Sequence, residues 1–274
     1  MTISINITDA NFSKFVAFRG ILDDFPTTGV AVSLNRLSSS YAGTPIRVRR
    51  STDSAEMDIP FNLSQLDVVA LLGFVKALDP LASGYVTKWY DQSGLRNLVQ
   101  ATPAKQALIV NQGVLVEDGG LPALLFSGAQ SYRFEDSAYA ITNDISVINV
   151  MNYDNSGSGA TFQYYSGGML WNPASGVFTA QGASDTFAPP SIADRRLYSY
   201  YQDGATLSGK SYENGIAQAV GVLGITSQNI YISDLGAVTG GLLTAKMQAA
   251  IIYMSDVSTN REEIEARMMS VFGI

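Results

Sequence analysis

The chain has 274 residues, of which 46% are hydrophobic and 15% are charged, a composition typical of a folded globular protein and unlike that of a disordered one. It contains no cysteine and no histidine, which excludes disulfides, thiolate nucleophiles, Ser-His-Asp catalysis and zinc sites built from Cys or His. The formal net charge of −7 argues against nucleic-acid binding, because the one basic cluster, at Arg47, Arg49 and Arg50, is short and lies within an alternating pattern.

The first element predicted along the chain is a short amphipathic helix at residues 9–24, with Phe12, Phe15 and Val16 on one face. Residues 1–29 are therefore expected to form an N-terminal helical extension, which lies across the edge of the fold or anchors a partner protein. The opening residues lack both a basic and a long apolar segment, so we expect no signal peptide. No apolar run is long enough to span a bilayer.

The middle of the chain predicts strands and one helix. Ser64 and Asp67 resemble a capping box at the start of a helix over residues 64–78. The apolar stripe of this helix is Val68, Leu71, Leu72, Val75 and Leu78. Alternation predicts strands at 30–34, 45–50, 85–90, 123–126, 145–151, 197–201, 211–213, 229–232 and 247–253.

The chain closes with a predicted helix from about Thr259, where Thr259 and Glu262 form a second capping box and Gly273 serves as the C-cap. Its predicted buried stripe is Ile264, Met268 and Val271. Many short strands with few helices favour an all-β sandwich with a few peripheral helices. We expect a single elaborated domain over residues 1–274, since the glycine-rich loop at 155–159 is too short to be a linker.

The second half resembles laminin G-like and concanavalin A-like modules. The F-x-G-x-x-x-Y opening of that family is similar to residues 125–132, LFSGAQSY. Its central hairpin is similar to residues 198–217, which contain Asp203-Gly204 and Asn214-Gly215. Its closing strand is similar to residues 246–253, KMQAAIIY. The tail at 255–261, SDVSTNR, resembles phage and prophage virion proteins with this fold. The resemblance implies a concanavalin A-like/laminin G jelly-roll sandwich.

The first half resembles the catalytic sandwich of α-L-arabinofuranosidase B-type enzymes. The matching segments are 37–43 (LSSSYAG), 47–53 (RVRRSTD) with Asp58-Ile59, and 89–94 (WYDQSG). That family carries a paired-cysteine segment near its nucleophilic glutamate, and this chain has no cysteine. The resemblance therefore implies the scaffold without the activity.

Several carboxylates are candidates for chemistry. Asp91 ends a strand and is either part of a sugar or metal site or, as we favour, a turn-forming residue that accepts backbone N–H bonds. Asp53, Glu56 and Asp58 lie close together in sequence, but a glycosidase needs two carboxyls held about 5–9.5 Å apart. We favour solvated loop charges that pair with nearby arginines.

A sugar site needs an aromatic platform beside polar groups, and Tyr153, Tyr164, Tyr165 and Trp171 flank glycine-rich loops that would supply one. The alternative interpretation places these four aromatic residues in the core or at a subunit contact. A separate pair, Tyr198 and Tyr200, is expected to share a core face of one strand. Calcium would require loop oxygens, for which the candidates are Asp144, Asp154, Asp203 and Asp234. None lies in a D-x-D-x-D-G run, so no metal site and no cofactor is predicted.

Together these features predict a non-enzymatic virion-surface structural protein of a phage: a head fibre, a capsid decoration protein or a tail-associated subunit that binds host or environmental glycans. Its expected partners are other virion proteins and further copies of itself, as a trimer for a fibre-like role. Synthesis in the host cytoplasm would precede assembly on the virion. The alternatives are a glycoside hydrolase or depolymerase, and an adhesion module from a prophage-derived gene.

Overall fold

The computed structural model describes residues 18–128, 130–135, 139–141, 144–153, 159–164, 167–172, 177–180, 183–186, 194–206, 208–217, 230–235, 237–238, 241–242 and 244–274. For residues 139–141, 153, 159–186, 208 and 230–242, the description extends at most to the backbone. Within these residues most of the regular structure is strand, because the sequence alternates at period two far more often than it repeats at helical spacing.

The strands of the first half are β1 (Val30–Ser33), β2 (Ile46–Arg50), β3 (Glu56–Ile59), β4 (Phe61–Asn62), β5 (Gln65–Leu66), β6 (Gly84–Trp89), β7 (Leu98–Val99), β8 (Leu108–Asn111), β9 (Val114–Leu115), β10 (Glu117–Asp118), β11 (Leu121–Pro122) and β12 (Leu124–Ser127). Those of the second half are β13 (Tyr132–Phe134), β14 (Tyr139–Ile141), β15 (Ile145–Tyr153), β16 (Gly159–Tyr164), β17 (Gly167–Asn172), β18 (Val177–Ala180), β19 (Ala183–Thr186), β20 (Arg196–Asp203), β21 (Ser208–Glu213), β22 (Ile216–Ala217), β23 (Ile230–Leu235), β24 (Ala237–Val238), β25 (Gly241–Leu242) and β26 (Thr244–Tyr253). The helices are α1 (Val68–Val75) and α2 (Arg261–Phe272), with short 3-10 turns at Ile21–Asp23, Pro103–Lys105 and Ser258–Asn260.

Antiparallel pairing joins most of these strands into two layers. One layer runs β3-β2-β6-β7-β13-β23-β16-β17-β18-β19. In the other, β26 pairs with β1 and β12 along one edge and with β15 along the other, and β15 continues to β20, β21 and β22. Strand β8 pairs with both β6 and β12 and so connects the layers. The fold is an antiparallel all-β sandwich, as the sequence predicted.

The main core lies between the two layers. One layer contributes Val86 and Trp89, and the facing layer contributes Tyr198, Tyr200 and Met247, all at most 2% exposed. The strand alternation that predicted a shared core face for Tyr198 and Tyr200 is therefore confirmed. Close packing of large side chains from both layers is what fixes their separation.

A second apolar cluster covers the outer face of the β15–β26 layer. Helix α2 lays Ile264, Met268 and Phe272 against Ile148 and Ile251 of the strands, so alternate residues of β15 and β26 face the two clusters. This layer is buried on both sides, which explains the continuous apolar run at the end of β26. The N-terminal residue of α2, Arg261, lies against the β20–β21 hairpin, with its guanidinium 4.2 Å from the Tyr212 ring centre.

The predicted helix over 64–78 is wrong at both ends. Helix α1 begins after Asp67, whose carboxylate accepts the N–H of Ala70 at 2.9 Å, because the preceding pair Gln65–Leu66 forms a small hairpin with β4. Leu78 lies beyond the helix and is 64% exposed, whereas Leu71 and Val75 are buried as expected.

The terminal elements differ in detail from their predictions. Of the helix predicted over 9–24, residues 18–24 contain only the 3-10 turn Ile21–Asp23, and residues 9–17 lie outside the described residues. Helix α2 has Asn260 at its N-cap without a capping box, and Phe272 is buried in place of Val271. Gly273 ends it at φ 66°, as predicted. No described helix has the length and hydropathy needed to cross a membrane.

Candidate functional site

The hairpin β20–β21 presents one row of side chains away from the sandwich core. Tyr201 lies directly opposite Lys210 in the register, and Asp203 and Tyr212 follow two positions along their strands. Because side chains alternate across a strand, these four share a face, and Tyr200 points to the opposite, core face. The local pattern YSYYQD therefore divides its tyrosines between the core face and the outer face, where Tyr201 is itself only 2% exposed.

The segment between β26 and α2 returns over this outer face and adds Asp256 and Ser258. The resulting cavity of about 330 Å³ is lined by Tyr201, Asp203, Lys210, Tyr212, Asp256 and Ser258. We call this cavity the hairpin pocket. Its volume lies at the lower end of the range of small-ligand pockets in proteins.

Both carboxylates of the pocket are fixed by their own loops. The N–H of Ala205 donates to Asp203 Oδ1 at 2.8 Å and the hydroxyl of Thr206 donates to Oδ2 at 2.9 Å. These hydrogen bonds, led by that of Ala205, lower the pKa of Asp203, so its carboxylate is ionised at neutral pH. The N–H and hydroxyl of Ser258 hold Asp256 in the same way, at 2.8 and 3.0 Å.

The two tyrosines of the pocket contact a buried ion pair, formed by Glu265 and Arg261. The Tyr201 hydroxyl donates to Glu265 Oε1 at 3.1 Å, and Arg261 donates to Glu265 Oε2 at 2.7 Å. The Tyr201 and Tyr212 rings meet edge to face at 5.8 Å, with the Arg261 guanidinium 4.2 Å from the Tyr212 ring centre. Burial, reinforced by the charge of Glu265, raises the pKa of Tyr201 and keeps its hydroxyl protonated. Both rings are thereby held in one orientation.

This combination of groups is suited to a polyhydroxylated ligand. Sugars offer C–H faces and hydroxyls together, and the pocket places the half-buried Tyr212 ring, packed on the buried Tyr201, beside two carboxylate acceptors and one ammonium donor. The acceptors and rings are held by contacts within the chain, so little ordering is required on binding.

Asp91 has a different position and a different task. It is 2% exposed, and its Oδ1 accepts the N–H groups of Ala31 (2.7 Å) and Ser93 (2.9 Å). Its Oδ2 accepts the Ser93 hydroxyl and the N–H groups of Leu95 and Arg96 at 2.6–3.0 Å. Asp91 thus organises the loop after β6 and attaches it to β1, which is the turn-forming role that the sequence favoured. A sugar or metal role for this residue has no support in its geometry.

The carboxylates Asp53, Glu56 and Asp58 are engaged in structural contacts. Asp58 forms a two-bond ion pair with Arg47, at 2.8 and 2.7 Å, and accepts the Tyr90 hydroxyl at 2.6 Å. Asp53 is paired in the same way by Arg50, and Glu56 accepts the Thr87 hydroxyl at 3.3 Å. The arginine pairing was expected, but the loop placement is wrong for Glu56 and Asp58, because β3 pairs with β2 and sets Asp58 directly opposite Arg47.

The predicted aromatic platform cannot be assembled from the described residues. Tyr165 lies outside them, and the side chains of Tyr153, Tyr164 and Trp171 do as well. The backbone places Tyr164 opposite Gly167 and Trp171 opposite Gly159, near the two ends of the β16–β17 hairpin, whereas Tyr153 lies in β15. At about 3.4 Å per residue, the two ends are roughly 15 Å apart. A role for these residues in glycan binding stays a prediction.

Two of the four calcium candidates meet at one turn. Asp144 accepts the N–H of Gly204 at 2.6 Å, beside the bonds that Asp203 makes to the same turn. Asp154 and the side chain of Asp234 are outside the described residues. Within the part of the chain that is described, no three acidic residues come together as a metal site.

Five of the six pocket residues were missed as ligand contacts by sequence reasoning, which named only Asp203, as a calcium candidate. The signal for Tyr201, Lys210 and Tyr212 was present, since alternation across the hairpin already places Tyr201 opposite the core face. Nothing local indicates that Asp256 and Ser258 fold back onto that hairpin, because this contact depends on the path from β26 to α2.

Comparison with known proteins shows a shared fold. No family model matches the chain, and no curated protein sequence is significantly similar to it. Among solved structures, a GH54 α-L-arabinofuranosidase soaked with a cyclic sulfate inhibitor superposes with a TM-score of 0.59 at 14% identity, covering 90% of this chain and 63% of that one. An arabinofuranosidase complexed with arabinofuranosyl-α-1,2-xylobiose gives a TM-score of 0.56 at 16% identity, covering 90% and 64%. The chain thus spans less than two thirds of these enzymes and is similar to them in its β-sandwich fold.

Proposed function

We propose that this chain is a non-catalytic carbohydrate-binding sandwich displayed on the surface of a phage virion. The observation that carries the binding proposal is the hairpin pocket, where fixed tyrosines and fixed carboxylates line one cavity. The fold adds support, because arabinofuranosidases that bind saccharides have a similar β-sandwich.

The virion setting rests on the sequence alone. The tail SDVSTNR before a terminal helix and the laminin G-like segments resemble phage and prophage virion proteins. In this setting the chain would serve as a head fibre, capsid decoration or tail-associated subunit, assembling with other virion proteins and with copies of itself, as a trimer in a fibre. Host-surface or environmental glycans would be the ligands.

A glycan array tests the binding proposal, with the full chain as the probe and Tyr212→Ala as the pocket variant. We expect binding to a defined subset of glycans that the variant loses. An array without any bound glycan would refute the binding role. Mass spectrometry of purified virions tests the setting, and absence of the chain from the particles would refute it.

A second candidate function is glycoside hydrolysis, favoured by the arabinofuranosidase-like fold and by two carboxylates in one pocket. The missing paired-cysteine segment argues against it. Incubation with arabinofuranosides and bacterial polysaccharides distinguishes the two functions. Turnover that is lost in both Asp203→Asn and Asp256→Asn would establish the hydrolase and overturn the non-catalytic proposal.

A further inference from the structure

We propose that the hairpin pocket selects sugars by charge: it takes neutral or amine-bearing sugars and rejects those that carry a carboxylate. This inference rests on the proposed carbohydrate-binding function and specifies the ligand class of the same pocket. It follows from which groups of the pocket are free to interact and from the charge that they carry.

The charged lining of the pocket is predominantly negative. Asp203 and Asp256 oppose a single cation, Lys210, among the described residues that line it. The chain as a whole carries a formal charge of −7, so the long-range field also disfavours an approaching anion. A carboxylate on a ligand in the pocket would face two like charges of its lining.

The two carboxylates retain capacity for the ligand. A carboxylate has about four acceptor positions. The bonds from Ala205 and Thr206 occupy three of them on Asp203, and those from Ser258 occupy two on Asp256. The remaining positions suit donors, which are sugar hydroxyls or an ammonium group. Because their loops fix them in place, these carboxylates cannot turn away from an anionic ligand.

The donors that an acidic sugar would need are mostly committed elsewhere. The Tyr201 hydroxyl donates to Glu265, and the Ser258 hydroxyl donates to Asp256. Arg261, the nearest guanidinium, pairs with Glu265 and with Glu262. Among the described lining groups, Lys210 and the Tyr212 hydroxyl would face a sugar carboxylate, and Lys210 is an exposed ammonium on a flexible chain, whose ion pairs contribute little.

Matched glycan pairs test the inference on the full chain. Each pair sets a glucoside beside either the matching glucosaminide or the matching glucuronide, and affinity is measured for the wild type and for two variants. Asp203→Asn with Asp256→Asn removes both negative charges at nearly constant shape, and Lys210→Met removes the positive one. We expect the wild type to bind the glucoside and glucosaminide at least about tenfold more tightly than the glucuronide. The double amide variant should reduce this ratio to near one.

The outcomes separate the two proposals. A glucuronide that binds as tightly as the glucoside or more tightly, and that loses affinity in Lys210→Met, would overturn the charge selection while leaving the carbohydrate-binding function intact. An unchanged ratio in the double amide variant would also overturn it, since the carboxylates would then have no part in selection. No binding by any member of any pair would refute both proposals.

Discussion

Replacement of Glu265 by glutamine should destabilise the fold far more than the same change at its neighbour Glu262. Both carboxylates bond Arg261, but the Glu265 side chain is 1% exposed and the Glu262 side chain is 88% exposed. Glu265 also accepts the hydroxyls of Ser199 and Tyr201. The two variants therefore form a matched pair that differs in burial.

The structure sets the size of the effect. Loss of one partner from a buried ion pair costs about 3–5 kcal/mol when the other charge is left alone. Here Arg261 retains Glu262 and its position over the Tyr212 ring, and glutamine retains an acceptor oxygen, so we expect about 2 kcal/mol for Glu265→Gln. Glu262→Gln should change the free energy of unfolding by less than about 0.5 kcal/mol.

Urea unfolding followed by circular dichroism measures both variants. With an m-value of about 3 kcal/mol/M, Glu265→Gln should lower the midpoint by about 0.7 M, with the slope unchanged. Equal midpoints for the two variants would show that the network beneath the pocket contributes nothing beyond a surface pair, and the reasoning from burial would be refuted.

Three further predictions concern residues outside the pocket. Asp91→Asn should lower the free energy of unfolding by about 2–3 kcal/mol, measured by thermal unfolding, because an amide nitrogen would replace an oxygen that accepts backbone N–H groups. Glycan binding by the folded variant should be unchanged. Lost binding at full stability would restore a ligand role for Asp91. Leu63→Gly should raise the melting temperature by about 2 °C, because Leu63 has a φ of 57° and is 87% exposed, and glycine relieves about 1 kcal/mol of backbone strain there. The control variant Ser64→Gly should not raise the melting temperature. A lower melting temperature for Leu63→Gly would contradict the prediction. The hydrogen bonds from Arg47 lower the pKa of Asp58 below its unfolded value, so the stabilisation is complete above about pH 4 and is lost as the pH falls through the folded pKa. Melting temperatures between pH 7 and 2.5 should therefore fall less steeply for Asp58→Asn than for the wild type, and parallel curves would refute the contribution.

The elements that the sequence predicted correctly are those set by local chemistry. Alternation placed Tyr198 and Tyr200 in the core, and the pair Asn214-Gly215 formed the expected two-residue turn, with φ of 48° and 79°. These signals work because strand period and left-handed turn residues act within a few positions of the chain. The fold class followed from their repetition.

The errors arose where distant contacts outweighed local signals. Ser64 looked like a helix cap, yet the next residues pair with β4, and Leu66 donates its N–H to the Leu34 carbonyl, which delays α1 to residue 68. No local signal marks Glu265 for burial, because the partners that its burial requires, Ser199 and Tyr201, come from a distant strand. The pocket was missed for the same reason, because it joins a hairpin to a segment that is far along the chain.

The most direct test of the central claim is to observe where a bound saccharide contacts the protein. Backbone amide resonances of the full chain can be followed by NMR during titration with a glycan selected on the array. The expected result is that the largest shifts fall on residues 201–206, 210–212 and 256–258. Shifts concentrated on the opposite layer, around Arg47 and Tyr90, or none at all at saturating glycan, would contradict the assignment of the hairpin pocket as the carbohydrate site.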